Sequence, residues 1–147
     1  VTYDEALDEA LCFGWIDGQK RGHDAVSWIQ RFTPRRKRSM WSKRNIDHVA
    51  RLIKNGRMTT SGLKEIEAAK TDGRWARAYD SAKGMVVPAD FLQALAKNKK
   101  AERFFKTLDR ANIYAIAWRL QTARKPETRA RRMNALLDKM ARGEKLH

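Results

Sequence analysis

Residues 31–45 place seven cationic side chains, Arg31, Arg35, Arg36, Lys37, Arg38, Lys43 and Arg44, around Phe32 and Trp41. Guanidinium and ammonium groups at this density neutralise phosphates and other oxyanions. A helix opening at Ser39 or Ser42 adds free N–H groups and the positive end of its dipole to the same place. Trp41 offers a face on which an unpaired base can stack. The candidate anion or nucleic-acid site is therefore Arg31, Arg35, Arg36, Lys37, Arg38, Trp41, Ser42, Lys43 and Arg44. The competing reading is a solvated surface, with Arg and Lys stems covering apolar groups and Arg31 and Arg35 neutralising nearby acids.

A second, smaller constellation is Trp15, Asp17 and Trp28. Asp17 is the one acid set among aromatics and bases in this stretch. It is either a general base in a pocket between the two tryptophans or a structural ion pair with Arg31 or Arg35. Other catalytic patterns are missing. His23, His48 and His147 show no metal-ligand spacing, and Cys12, between Leu11 and Phe13, reads as a buried, inert thiol. There is no glycine-rich phosphate loop and no nucleophile elbow. The sequence names no catalytic residue, metal or cofactor.

These side chains need a scaffold, and 147 residues with 42% hydrophobic content are enough for a real core. The formal charge is +15, from 32 bases against 17 acids, and it is uneven: residues 1–14 hold Asp4, Glu5, Asp8 and Glu9 but no base. Such an excess points to nucleic acid, anionic lipid or an acidic protein as partner. The single cysteine excludes an internal disulfide. No apolar run approaches membrane-spanning length and no leader pattern opens the chain, so the expected location is the cytoplasm. The alternative is the periplasm, if a leader lies upstream of Val1, which is not an initiator methionine.

Periodicity supplies the elements. Thr2 with Glu5 three residues on reads as a capping box opening a helix. Its apolar face is Ala6, Leu7, Ala10 and Leu11, its wet face Asp8 and Glu9, and Gly14 stops it. Residues 15–21 and 26–33 read as two strands of a hairpin turning at Gly22, His23 and Asp24, with a bulge at Gly18 and an end at Pro34. Val26, Trp28, Gln30 and Phe32 share one face of the second strand; Ile29, Arg31 and Thr33 share the other.

The remainder reads as helical. One helix carries Ile46, Val49, Leu52 and Ile53 and closes at Asn55 and Gly56. Another opens at Thr59 or Thr60 and carries Leu63, Ile66 and Ala69. After Pro88 come stripes at Phe91, Leu92 and Leu95, then Phe104, Phe105 and Leu108, then Ile113, Ile116, Ala117 and Leu120. Pro126 starts the last helix, with Met133, Leu136, Leu137 and Met140 inward. The expected class is α+β: a small antiparallel sheet with helices, followed by an all-helical C-terminal segment. Residues 1–72 form the α+β domain, expected to lack upstream residues, 73–88 a connecting loop, and 89–147 a helical segment packed on it. Trp15, Trp28, Phe32, Trp75, Phe104, Phe105, Ile116 and Leu120 are the expected core.

Four stretches carry a family resemblance: residues 10–19 (ALCFGWIDGQ), 31–36 (RFTPRR), 41–45 (WSKRN) and 122–132 (TARKPETRARR). In order and spacing they resemble the bacterial bacteriocin-protection, YdeI or OmpD-associated (OmdA) family. That family is often grouped with YjbR-like and CyaY-like α+β proteins. The resemblance implies a role in antimicrobial or stress resistance and association with an outer-membrane porin; it supplies no catalytic residues.

Three functions remain open. The first is a non-enzymatic binder of a polyanion such as nucleic acid. The second is a cell-envelope adaptor whose basic surface meets an acidic protein, porin or anionic lipid. The third is an enzyme acting on a small anionic substrate. A solvent-facing Trp41 beside a continuous basic stripe would favour the binder, and a closed pocket holding Asp17 the enzyme.

Overall fold

A computed structural model describes all residues 1–147. The fold is α+β: one two-stranded antiparallel hairpin and seven helices, with the C-terminal part entirely helical. The chain forms two compact units, Val1–Ala78 and Tyr79–His147. No helix is long and apolar enough to cross a membrane.

In the first unit, α1 (Tyr3–Cys12) opens on the expected capping box. The Thr2 hydroxyl accepts from Glu5 N at 3.2 Å, and the Thr2 N–H donates to the Glu5 carboxylate at 2.7 Å. β1 (Trp15–Gly22) pairs with β2 (Trp28–Pro34), and the register slips between Asp17 and Lys20, the bulge that Gly18 predicts. The Gln30 side chain fastens the bulge by donating to the Gly18 carbonyl at 3.0 Å. α2 (Lys43–Lys54) is capped by Ser42 and α3 (Thr60–Thr71) by Thr59, and Gly56 and Gly73 take positive φ beyond their ends.

Leu7, Leu11, Cys12, Trp41, Val49, Leu52, Ile66 and Ala69 make the core of this unit. Phe32 and Trp75, expected within it, pack against it partly buried. α3 crosses close to the end of α1 because Gly62 has no side chain: a Cβ there would lie 2.2 Å from the Cys12 carbonyl oxygen. Burial holds the Cys12 thiol above its ordinary pKa, so it remains a thiol.

Three expectations fail in the hairpin. Trp15 is 41% exposed and Trp28 44% exposed, although both were expected in the core. Val26 belongs to the turn, not to β2, and is exposed. A hairpin of two strands is too narrow to be covered on both faces, and α1 leaves open clefts beside both Trp15 and Trp28. The opposite error concerns Asp8, expected on the wet face of α1 but only 8% exposed.

The second unit packs α4 (Ala89–Ala96), α5 (Lys99–Phe105), α6 (Arg110–Gln121) and α7 (Pro126–Arg142) around Phe91, Leu95, Ile116, Leu120, Leu136 and Met140. Phe104 and Phe105, expected to be buried, are half-buried at its edge. Asn98, where the apolar stripe breaks, caps α5 by accepting from Lys100 N and Ala101 N, both at 3.1 Å. Gly143 closes α7 in the left-handed conformation. Beyond it, the Asn112 side-chain oxygen accepts from Leu146 N and His147 N, which fixes the last residues.

Candidate anion-binding site

Pro34 has no N–H to continue the ladder, and the chain leaves β2 into a tight turn at residues 36–39. Ser39 N donates to the Arg36 carbonyl at 2.8 Å, and Arg36 N donates back to the Ser39 hydroxyl at 3.0 Å. Arg36, Lys37 and Arg38 are all exposed on this closed turn.

Two buried arginines brace the turn from below. Arg35, 7% exposed, lies with Cζ 3.5 Å from the centroid of the Trp41 ring and donates to the Met40 carbonyl at 3.2 Å. Trp41 is itself 1% exposed and packs at 4.9 Å against Trp75, with Lys70 over the far ring at 5.7 Å. Arg74 donates to the Ser39 carbonyl at 2.9 Å while its Nε meets the Asp72 carboxylate at 2.7 Å. Desolvation opposes the charge on Asp72, but hydrogen bonds from Arg74 outweigh it and hold that carboxyl below the usual range.

The structure therefore divides the predicted site. Arg31, Arg36, Lys37, Arg38 and Lys43 face solvent; Arg35, Trp41 and Ser42 are buried. Trp41 presents no ring to a base, so the expected stacking role is corrected: its ring belongs to the core and to Arg35. The Ser42 hydroxyl accepts from Asn45 N at 3.1 Å, which uses one of the free N–H groups at the start of α2. Arg44 meets Asp4 at 2.6 Å, so its charge is already partnered.

The second constellation is spread along the hairpin, Trp15 and Asp17 at its base and Trp28 near its tip. The Asp17 carboxylate accepts from the Tyr3 hydroxyl at 2.9 Å. Burial first, and then this bond, raise the Tyr3 pKa well above its ordinary value, so Tyr3 remains a donor. Trp15 and Trp28 line two separate open clefts between α1 and the hairpin, of about 350 and 300 Å³, and Asp17 lines neither.

Sequence reasoning missed one cluster. Asp8 accepts from His48 Nδ1 at 2.8 Å and from Arg51 Nη2 at 2.7 Å, while Glu9 pairs with Arg57. Burial works against the Asp8 charge, and the bonds from Arg51 and His48 overcome it, so its pKa is lowered. The signal was the match between acids at 4 and 8 on one helix and Arg44, His48 and Arg51 at i, i+4 and i+7 on another. The acidic helix thus takes up the basic stripe of α2.

Residues 84–143 match the model of the bacteriocin-protection, YdeI or OmpD-associated family. Residues 1–65 match a different model, described as a domain of unknown function. The resemblance expected along almost the whole chain is thus found over its C-terminal part, and neither description names the YjbR-like or CyaY-like fold. No curated protein and no solved structure matches the chain.

Proposed function

We propose that the protein is a non-enzymatic binder of polyanions, nucleic acid foremost, acting in the cytoplasm. The observation that carries this reading is the 36–39 turn: three adjacent exposed cations on a backbone closed by its own hydrogen bonds and braced by Arg35 and Arg74. An ordinary basic run must be ordered when it binds; a turn already fixed loses little backbone freedom. The charge of +15 draws a polyanion in from a distance. Phosphates and not bases are the recognised groups, because Trp41 is withdrawn into the core. Binding is therefore sequence-tolerant and steeply salt-dependent.

The test titrates single- and double-stranded DNA and RNA at several salt concentrations against the protein and an Arg36→Ala, Lys37→Ala, Arg38→Ala triple variant. For every phosphate that the variant no longer neutralises, the slope of log affinity against log salt flattens by about 0.7–0.9. An unchanged slope moves the site off the turn. No binding at low salt sinks the nucleic-acid reading.

A second reading is an envelope adaptor in antimicrobial or stress resistance, contacting an acidic protein or porin. The match of residues 84–143 to the bacteriocin-protection, YdeI or OmpD-associated family favours it. Sensitivity of a deletion strain to antimicrobial peptides, restored by the wild type and also by the triple variant, would support this reading over the first.

A further inference from the structure

The distal end of the hairpin is apolar on both faces and at its tip. Val26 in the turn is 90% exposed, Trp28 44% and Ile29 42%. Trp28 pairs with Gly22 and Ile29 with Arg21, so these neighbours project from opposite faces of the ribbon. A flat protein partner would cover one face and leave the other wet. Apolar groups on two faces and the tip suit a medium that reaches both sides of the ribbon's end, the start of α1 flanking the Trp28 side across an open cleft. Bases ring this end. Lys20 Nζ lies 4.2 Å over the Trp28 ring, and Arg21 and Arg31 line an open concavity with Ile29 on the other face. Tryptophan with Lys and Arg beside exposed aliphatics is the composition that settles at a bilayer's headgroup level.

We propose that the hairpin tip docks on an anionic lipid surface, Val26, Trp28 and Ile29 entering the interfacial layer while Lys20, Arg21 and Arg31 meet the headgroups.

The turn is prepared for partial dehydration. His23 N and Asp24 N both donate to the Ser27 carbonyl, at 3.2 and 3.3 Å, and Val26 N donates to Asp24 Oδ1 at 2.9 Å. His23 Nδ1 lies 3.1 Å from both Asp24 Oδ2 and the Ser27 hydroxyl. Polar groups satisfied within the turn cost less to bring out of water. Asp24 is the one acid at the tip. Its charge is met by these donors and outnumbered by the three bases, which sets a shallow insertion. The Gln30 bond to Gly18 stiffens the ribbon behind the tip. Nucleic acid is the less fitting occupant, because Lys20 already covers one side of Trp28 and Val26 has no part in stacking.

The experiment is co-sedimentation of the full chain with vesicles of phosphatidylcholine alone and of phosphatidylcholine mixed with phosphatidylglycerol. Two variants are compared: Val26→Ser with Ile29→Ser, and Lys20→Gln with Arg21→Gln and Arg31→Gln. None of these five side chains belongs to the core of the unit, and circular dichroism with urea unfolding confirms that both variants fold. Expected are binding that requires phosphatidylglycerol, a loss of roughly fivefold for each base removed, and a loss of roughly tenfold for the apolar pair. Absence of vesicle binding by the wild type, or vesicle binding unchanged by the apolar variant, overturns the proposal. So does a loss of oligonucleotide binding in these variants without any loss on vesicles, which would make the hairpin a nucleic-acid surface.

Discussion

The Arg35 guanidinium lies over the Trp41 ring, 3.5 Å from its centroid, and both side chains are buried. A charge that looks in the sequence like one more member of a basic run is in fact the underside of the turn that displays the others. Arg35→Ala should therefore destabilise the protein by roughly 2–4 kcal/mol, because it removes the cation–π stacking, the packing and the bond to Met40 together. Arg36→Ala, one residue along, should stay within about 0.5 kcal/mol of wild type. Arg35→Lys should not rescue, because an ammonium cannot stack flat on indole. Urea unfolding midpoints at unchanged m-value check all three.

Asp8 gives the protein a defined acid limb. Its folded pKa is depressed, so the stability it contributes is fully present above the unfolded value, about 3.9. That contribution disappears as pH falls through the lower, folded value. Asp8→Asn should flatten the loss of stability below about pH 4 while costing roughly 1–2 kcal/mol near neutrality. The cost is held to that size because Arg51 is half exposed and screened. Unfolding curves across an acid pH series measure both effects, and an unaltered acid limb would show that other carboxylates carry it.

Gly62 is where α3 meets the end of α1. Thr59 already donates its N–H and hydroxyl to the Cys12 carbonyl, at 3.1 and 2.7 Å, so that oxygen is held in place. Gly62→Ala drives a methyl group into it and should cost about 1–3 kcal/mol or more, although alanine is the better helix former. Thermal unfolding of the variant reads this directly.

In the second unit Phe91 is fully buried, whereas Phe104 is only half-buried. Phe91→Ala should cost roughly 3–5 kcal/mol and Phe104→Ala about 1–2 kcal/mol. Equal losses in chemical unfolding would place Phe104 deeper than the structure does.

What the sequence determined by itself was local. Thr2 and Glu5, Ser42, Thr59 and Gly56 mark helix ends through bonds made within a few residues, and the period-2 run from Trp15 marks the only strands. Gly18 announced its bulge for the same reason. Tertiary structure alone decided which charges and aromatics are available. Arg35 and Trp41 look like a ligand site in one dimension, and only the approach of Trp75 and Arg74, more than thirty residues away, turns them into core and brace. Asp8 reads as solvated until α2 brings His48 and Arg51 to it across forty residues. Trp15 and Trp28 have the bulk of core residues but lie on a ribbon too narrow to be covered. Composition says what a side chain can do; the long-range contacts, which no short window contains, say whether anything else has already claimed it.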